Sequence, residues 1–594
     1  MKLTERQEEV VKATSGHYVV FAGPGCGKTH TITEKVFYLF ENNIIPDPYG
    51  LLAVTFTDSA AREMRARLRI RGFNQWQRIF VRTFHSFCRH ILSCYGSDIG
   101  IRENFEILEG REREAILDKL RRKYMLTYSP ADLKFHYDRF KRQGKYSSHL
   151  GERYSADFRG AYAEYNQILR EENKLDFGDL IALTVGLLQQ SPLVGRLYSN
   201  FFRYIIVDEF QDTDNQQLEL VYLLAKDAIG STIVGDDDQS IFGFTGALRQ
   251  NVFKIKNLLD SNEILLGQNF RSDEIIVEAA IKVIGFDPMS REKEIIAVSS
   301  ERGKLFRYEF EDTEKEAYQV VQWIKDLLSE NEISNFGEIA IITRVGYRVE
   351  SIIQELGEAD IPWFNRSRLK FQDSWETVLA LATIELAHDP DSSQYLHKVL
   401  TGIEEGGLAF WLGEEDSFDI ALRIRDLLKL QGENSSFLEN VNEILRIAEI
   451  YKIIEKASPG TTDLERRIKN IERMVENIYS EAQQHRIGLL NVISRFMGHD
   501  AVQIITGHRS KGCEFDAVFF IGLEDDILPD YRAHDDEDKL AEERRIFYVG
   551  LTRARKAAFL TNAKLRRDVY GKIRRKKPSR FLDHIPSDYF TELQ

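Results

Sequence analysis

A glycine-rich segment near the N-terminus has the composition and setting of a phosphate-binding loop. "AGPGCGKT" (residues 22–29) begins at the end of "HYVVFAG", an apolar run that predicts a buried strand, and leads into "THTITEKVFYLF", which has helical spacing. In this order, backbone N–H groups and the positive end of a helix turn toward a phosphate. The candidate phosphate-binding residues are Ala22, Gly23, Pro24, Gly25, Cys26, Gly27, Lys28, Thr29 and His30.

Two side chains of this loop predict chemistry on a nucleoside triphosphate. The Lys28 ammonium can reach the β- and γ-phosphates, and the Thr29 hydroxyl is placed to hold Mg²⁺. Ala22 departs from the usual pattern, which has glycine at that position. The loop by itself indicates a nucleoside triphosphate and does not name a reaction.

Two acidic segments supply the carboxylates that such a loop requires. In "YIIVDEFQDT", Asp208 follows four apolar residues, so we expect it at a strand end, where it would meet Mg²⁺. Glu209 beside it is the natural general base for an attacking water. In "IVGDDDQS", three aspartates (236–238) would repel one another unless cations or donors lie nearby. Gln239 is placed either to orient the water or to contact the γ-phosphate.

The elements that must position these residues follow an alternating pattern. Strand-like runs such as "LLAVTF", "STIVGD", "EIAIITR" and "DAVFFIGL" alternate with helical segments, which predicts an α/β fold of parallel sheets with crossover helices. We expect a first domain (1–96 and 201–275) with a helical insertion (97–200). A second domain (276–387 and 501–594) would carry a shorter helical insertion (388–500), and neither insertion has a strand pattern.

Composition narrows the class of protein. The 594 residues suffice for several domains, and 43% hydrophobic with 29% charged residues is typical of globular protein. The sequence has no apolar run of membrane-spanning length and no signal-peptide core at "MKLTERQEEV", so we expect no membrane association. The four cysteines are scattered, which argues against a disulfide framework or a zinc site and favours a reducing cytoplasm.

The charge distribution leaves two interpretations open. The net charge of −14 argues against a generic nucleic-acid-binding protein. Two segments are nevertheless basic, one at 121–145 and one at 564–580. Each is either an ordinary solvated face or a local track for a single strand on an acidic body.

Six segments in order resemble the helicase motifs of the superfamily 1 UvrD/Rep/PcrA helicases. They are "AGPGCGKT", "VDEFQDT", "VGDDDQSIFGFTGA", "LGQNFRS", "TGHRSKGCEF" and "YVGLTRARK", and the resemblance extends from Leu3 to about Phe581. It implies two RecA-like P-loop domains, each with a mostly helical insertion, and it implies ATP with Mg²⁺ as the cofactors.

The resemblance also assigns roles at the nucleotide. Gln7 in "LTERQEEVV" would read the adenine, Phe270 would offer it a ring face, and Glu514 would meet the ribose. Gln239 would contact the γ-phosphate. Arg271 and Arg553 would be arginine fingers that stabilise the transferring phosphoryl group.

The resemblance further implies a path for single-stranded DNA. Aromatic faces stack on bases whatever the sequence, which suits a motor that passes over every base. The implied contacts are Phe56, Thr57, Thr83, Phe84, His85 and Phe244 in the first half of the chain, and Arg344 and His508 in the second.

This sequence departs from the family pattern at several motif positions. Phe242, Phe244 and Thr245 replace the usual Tyr, Trp and Arg of the third motif, and Phe270 replaces a Tyr. Gly507 and Arg509 stand where Leu and Ser are usual. The short remainder after Phe581 predicts neither an extended tail nor a fused nuclease domain.

The leading hypothesis is an ATP-driven motor that moves 3′→5′ on single-stranded DNA and separates the strands of tailed duplexes. The alternative is an ATP-gated DNA-binding regulatory subunit of a nuclease complex, with little unwinding of its own. An RNA motor is a weaker third hypothesis, because no segment is recognisable as a reader of the 2′-hydroxyl. A nuclease or a repair protein is the expected protein partner.

Overall fold

The structure is a computed structural model, and its chain divides into two compact units. The first unit contains Met1–Glu301 and Asp538–Tyr548, and the second contains Arg302–Glu537 and Val549–Gln594. The helix Glu537–Leu551 thus has most of its length, Asp538–Tyr548, in the first unit, while its first residue and its last residues belong to the second. The structure describes residues 2–108, 110–145, 154–346, 349–365, 375–392, 395–396, 399–400, 402–403, 417–431, 440–456, 461–485, 492, 500–567 and 572–591.

A six-stranded parallel sheet forms the centre of the first unit, with strand order β3-β2-β6-β7-β1-β8. Its strands are β1 (Gly16–Ala22), β2 (Gly50–Thr55), β3 (Ile79–Thr83), β6 (Phe202–Val207), β7 (Gly230–Gly235) and β8 (Asn262–Leu266). A small parallel pair, β9 (Gln268–Asn269) and β10 (Ile296–Ala297), follows. Its helices outside the insertion are Glu5–Lys12, Lys28–Glu41, Asp58–Ile70, Phe84–Tyr95, Asn215–Ala225, Asn251–Leu258 and Glu274–Ile284.

The strands of this sheet coincide with apolar runs of the sequence. Both faces of the sheet are covered by helices, so successive side chains on either face are buried. In β1, Val19 and Phe21 enter one hydrophobic core, while Val20 and Ala22 enter the core on the opposite face. A parallel sheet with helices on both faces requires such continuous apolar strands. The predicted parallel α/β architecture is therefore confirmed.

Strand order brings the chemical segments of the first unit to one edge. Strand β7 lies between β6 and β1, and all three run in the same direction. The loop that begins at Gly23 leaves the end of β1, Asp208 follows β6, and Asp236 follows β7. Because carboxyl ends of parallel strands share an edge, this topology accounts for their proximity.

The first insertion is mostly helical, as expected, but it also contains a short parallel pair of strands, β4 (Glu106–Ile107) and β5 (Lys174–Leu175). The sequence shows no strand pattern there, since a two-residue strand is too short to produce an alternating one. Its helices are Gly110–Lys123, Pro130–Arg142, Ala156–Glu171, Phe177–Gln190 and Pro192–Phe201.

A buried charge network joins the helices of this insertion. The Lys141 Nζ lies 2.7 Å from carboxylate oxygens of both Asp176 and Asp179. The Tyr165 hydroxyl and an Arg113 nitrogen also donate to Asp176, at 2.9 and 3.1 Å. Lys141 of the basic segment at 121–145 is therefore internal and is not available to bind a ligand.

Lys141→Met should destabilise this insertion strongly. Removing one partner from a buried ion pair leaves an uncompensated charge and costs about 3 to 5 kcal/mol. Hydrogen exchange of the amides in Ala156–Glu171 measures the loss as reduced protection. Lys123→Met is the matched control, because Lys123 pairs with Glu164 at the surface. Equal protection in the two variants would show that the network is dispensable.

A second parallel sheet forms the centre of the second unit, in the order β11-β16-β15-β12-β14-β13, with β17 antiparallel to β16. The strands are β11 (Lys304–Asp312), β12 (Ile339–Thr343), β13 (Trp363–Asn365), β14 (Val502–Thr506), β15 (Phe515–Phe520), β16 (Ala554–Arg567) and β17 (Ile573–Arg575). The basic segment at 564–580 supplies Arg566, which is buried against Glu316 and Glu524. Residues 568–571 of that segment lie outside the described residues.

Helices of the second unit cover this sheet and form a separate helical core. The described helices are Thr313–Ser329, Glu350–Glu358, Trp375–His388, Ser417–Lys429, Val441–Ile447, Ile450–Lys456 and Thr461–His485. The core of the second insertion contains apolar side chains such as Ile424, Ile444 and Ile471. Within the described part of the chain, no single helix is long and apolar enough to cross a membrane, and one pair of helices bent by 103° meets the criteria of length and composition only jointly.

Candidate ATP and DNA sites

Two glycines give the phosphate-binding loop its shape. Gly25 and Gly27 have φ values of 71° and 74°, in the left-handed region that glycine adopts without strain. A Cβ on Gly27 would lie 2.8 Å from the Gln7 Nε2, so a larger residue would also displace the Gln7 amide. Gly27 is the N-cap of the helix Lys28–Glu41, so the N-terminus of this helix points to the loop. This is the arrangement that binds phosphate.

The predicted acid–base residues meet beside this loop. The Glu209 Oε1 lies 3.8 Å from the Lys28 Nζ. Glu209 has φ 53°, a strained conformation for a residue with a side chain, and its N–H donates to the Asp208 Oδ1 at 2.9 Å. Burial and the Glu209 carboxylate raise the pKa of Asp208 to about 7 against the opposing charge of Lys28. A carboxylate pair of this kind favours a bound cation.

Gln211 connects the two acidic segments. Its Nε2 donates to the Glu209 Oε2, and its Oε1 accepts from the Asp236 N–H at 2.9 Å. The Gln239 Nε2 donates to the Asp236 Oδ2 at 2.6 Å. The proposed general base and the proposed γ-phosphate contact are therefore held by one hydrogen-bonded chain.

The segment "QNFRS" lies against the same loop. The Asn269 Nδ2 donates to the Pro24 carbonyl at 2.7 Å, and the Phe270 N–H donates to the Gly25 carbonyl at 2.9 Å. A Cβ on Gly25 would lie 2.7 Å from the Arg271 Cβ. The structure thus places both Phe270 and Arg271 beside the residues predicted to grip phosphate.

Two further predicted nucleotide residues lie nearby. Gln7 is buried, its Nε2 donates to the Cys26 carbonyl at 3.2 Å, and its Oε1 accepts from the Thr4 N–H at 3.1 Å. His30 lies in the first turn of the following helix, with its Nδ1 3.9 Å from the Glu34 Oε1. Burial lowers the pKa of His30, so it is neutral at pH 7.

The remaining two nucleotide candidates belong to the second unit. Arg553 is buried and donates to the carbonyl oxygens of Val549 and Cys513 and to the Thr552 hydroxyl. Glu514 is exposed, with its Oε1 3.3 Å from an Arg555 nitrogen. Backbone carbonyls thus fix the direction of the Arg553 guanidinium.

Aromatic rings from separate segments form a ledge on the first unit. Phe56 stacks on Phe242 with centroids 5.6 Å apart, and Phe242 lies 6.1 Å from Phe244. Phe244 is 59% exposed. The next residue, Thr245, has a side chain outside the described part of the structure. The ledge offers the kind of surface on which bases stack.

Four other DNA candidates of this unit serve partly structural roles. The hydroxyls of Thr57 and Thr83 cap the helices that begin at Asp58 and Phe84. Phe84 is buried in the hydrophobic core, so its ring does not face solvent. His85 meets Phe177 edge-on at 5.4 Å, and burial together with Arg142 lowers its pKa to about 4.

Arg344 and His508 come together in the second unit. They follow the neighbouring parallel strands β12 and β14, and the Gly507 N–H donates to the Thr343 carbonyl at 2.9 Å. Burial and the Arg344 charge lower the pKa of His508 to about 4, which leaves a neutral ring at pH 7. Arg509 beside it is exposed.

Sequence reasoning missed several residues that organise the site. Asn269 was part of a quoted motif but received no role. Lys293, Arg249 and Asp287 lie outside every quoted motif, yet they form a buried network with the three aspartates. Their spacing along the chain carries no pattern, so this network emerges only from the fold.

Comparison with known proteins agrees with this geometry. Residues 3–260 match the UvrD/REP helicase N-terminal domain, and residues 264–440 and 412–564 match the UvrD-like helicase C-terminal domain. The ATP-dependent DNA helicase PcrA of Staphylococcus aureus (strain Mu50 / ATCC 700699) is 29% identical over 641 residues, 98% of this chain and 86% of that protein. The ATP-dependent DNA helicase PcrA of Staphylococcus epidermidis (strain ATCC 12228 / FDA PCI 1200) is 30% identical over 635 residues, 99% and 86% of the two chains.

These matches confirm the resemblance that the ordered motifs indicated, and with it the architecture of two RecA-like domains. Two family models and relatives aligned over nearly the whole chain establish that this protein belongs to the UvrD/REP helicase family.

Proposed function

We propose that this protein is an ATP-dependent DNA helicase that moves 3′→5′ along single-stranded DNA and separates the strands of a duplex. The observation that carries the proposal is the meeting of Lys28, Asp208 and Glu209 at one edge of the parallel sheet. Family membership and the printed names of the relatives support both ATP and DNA as its substrates.

The residues at this edge fit Mg²⁺. Thr29 and Asp208 offer the hard oxygen ligands that this ion prefers. Burial and the neighbouring Glu209 carboxylate raise the pKa of Asp208, and a bound cation would favour its ionised form. When bound, Mg²⁺ would neutralise charge that develops on the β- and γ-phosphates. Lys28 and the loop N–H groups would hold those phosphates.

Hydrolysis then depends on side chains that the fold holds beside the phosphate-binding loop. Glu209 takes the proton from the attacking water, and Gln211 orients the Glu209 carboxylate by donating to it. Gln239, held by its hydrogen bond to Asp236, contacts the γ-phosphate. Arg271 and Arg553 stabilise the transferring phosphoryl group.

Single-stranded DNA would contact the ledge of Phe56, Phe242 and Phe244, with Arg344 and His508 as contacts in the second unit. Stacking on an exposed ring such as Phe244 contributes about 1 to 3 kcal/mol per base and is tolerant of sequence. That tolerance suits movement along arbitrary DNA.

Duplexes with a 3′ single-stranded tail should be unwound with ATP, while duplexes with a 5′ tail should not. Binding to the tail should weaken steeply with salt, because contacts with phosphate release counterions. The measurements are strand separation by gel and single-strand affinity at several salt concentrations. Lys28→Ala is the control that removes ATP turnover.

Preference for the 5′ tail would contradict the polarity. Single-strand-stimulated ATP turnover without unwinding of either substrate would favour the regulatory subunit of a nuclease complex. Stimulation by RNA in preference to DNA would favour the RNA motor. A nuclease or repair protein remains the proposed partner, and the four free cysteines support a reducing cytoplasm as the location.

A further inference from the structure

The three consecutive aspartates of the first unit surround an internal ammonium. The Lys293 Nζ lies 2.8, 2.6 and 2.7 Å from carboxylate oxygens of Asp236, Asp237 and Asp238. All four side chains are buried. These carboxylates stand close enough together to hold a metal ion, and Lys293 occupies the position that a cation would take.

The segment that carries Lys293 also lies on the phosphate-binding loop. Strand β10 begins at Ile296 and pairs with β9, whose Asn269 bonds to the loop at Pro24. A Cβ on Gly23 would lie 2.6 Å from the Ile295 Cδ1. The ammonium at position 293 is therefore anchored to the same structure that would hold ATP.

A second cation braces the cluster from the other side. Arg249 donates to Asp237 and Asp238 at 3.0 and 2.9 Å and to Asp287 at 3.1 Å. Arg545 donates to the same Asp287 oxygen at 2.8 Å. Lys293 and Arg249 each contact both Asp237 and Asp238. These two carboxylates are therefore fixed by two cations.

Asp236 connects this cluster to the nucleotide site. Burial favours its neutral form, but the charges of Lys293 and Lys28 outweigh burial and lower the pKa of Asp236. The ionised carboxylate accepts from the Gln239 Nε2 at 2.6 Å while its other oxygen faces Lys293 at 2.8 Å. The direction of the Gln239 amide thus depends on where Lys293 holds Asp236.

We propose that Lys293 is a positioning residue for ATP hydrolysis, a tethered cation that holds Asp236 so that Gln239 is aimed at the γ-phosphate. This rests on the proposed role of Gln239 at the nucleotide. Lys293 takes no part in bond making. It replaces the mobile counterion that three adjacent carboxylates would otherwise need.

Lys293→Met should lower kcat for single-strand-stimulated ATP hydrolysis about 10- to 50-fold, as expected for loss of a charge-assisted contact. KM for ATP should stay within about twofold, because an interaction made in the transition state acts on kcat. Lys293→Arg should retain more activity than Lys293→Met, because it keeps the positive charge. It should still be less active than the wild type, because a guanidinium cannot place one nitrogen against three carboxylates. Lys256→Met, which removes a half-exposed ammonium paired with Glu263, is the matched control and should leave kcat unchanged.

A double-mutant cycle separates positioning from general stability. In a Gln239→Ala background, Lys293→Met should change kcat less than about twofold, because the group it positions is already absent. Fully multiplicative effects of the two substitutions, or a normal kcat in Lys293→Met, would overturn the inference. If Lys293→Met does not fold, the same cycle with Lys293→Arg decides between coupled and independent effects.

The activity of the wild-type protein separates the role of Lys293 from the helicase function. If it hydrolyses no ATP with single-stranded DNA, the proposed function fails and the cycle has no baseline. If it is active and the cycle shows no coupling, the role of Lys293 fails while the helicase proposal stands.

Discussion

Arg553→Ala should lower single-strand-stimulated ATP turnover by about 10³- to 10⁵-fold, the range expected for an arginine finger. Translocation should be lost with it. Lys28, Asp208 and Glu209 belong to the first unit and Arg553 to the second, so ATP binding to the first unit should survive the substitution.

The structure sharpens this prediction. Arg553 is buried, and its guanidinium is directed by the carbonyls of Val549 and Cys513. Arg553→Lys should rescue little, because an ammonium cannot reproduce the planar fork. The measurements are ATP-analogue affinity, steady-state ATPase and stopped-flow translocation.

Arg580→Ala is a control for removing an arginine of the second unit, since Arg580 forms a partly exposed ion pair with Asp525 and has no proposed role at the nucleotide. The thermal unfolding temperature of both variants shows whether the second unit stays folded when Arg553→Ala leaves a cavity. Near-normal translocation in Arg553→Ala would contradict the hypothesis that Arg553 couples ATP turnover to movement along DNA.

Glu209→Gln should lower hydrolysis by about 10²- to 10⁴-fold, the usual contribution of a general base. The amide has the shape of the carboxylate but cannot accept the proton from water. Lys28 and Asp208 remain, so affinity for Mg·ATP and for single-stranded DNA should be preserved. Equilibrium binding and single-turnover hydrolysis measure the two properties separately.

Glu263→Gln is the control for this second prediction, because Glu263 makes its ion pairs with Lys256 and Arg291 at the surface of the same unit. Failure of Glu209→Gln to bind ATP would show that the Glu209 carboxylate, which lies 3.8 Å from the Lys28 Nζ, serves the structure of the site rather than the reaction.

Local sequence was sufficient to predict the long strands of this protein and their order along the chain. Apolar runs predicted most strands of both sheets, because a strand buried on two faces is apolar along its whole length. The short strands β13 and β17 have no such run and were not predicted. Lys28, Asp208 and Glu209 were likewise recognisable, since phosphate binding requires residue types at fixed offsets from strand ends. Parallel pairing then implied that those ends share an edge.

Tertiary structure alone decided which distant side chains complete the site. Lys293 lies 55 residues from Asp238, and Arg249 meets Asp287 across 38 residues, separations at which no periodic pattern survives. The same holds for Lys141, which the sequence offered as part of a basic track and the fold uses against Asp176 and Asp179. Sequence records which residues are charged, whereas burial and neighbouring charges, set only by packing, determine whether a charge binds a ligand or holds the protein together.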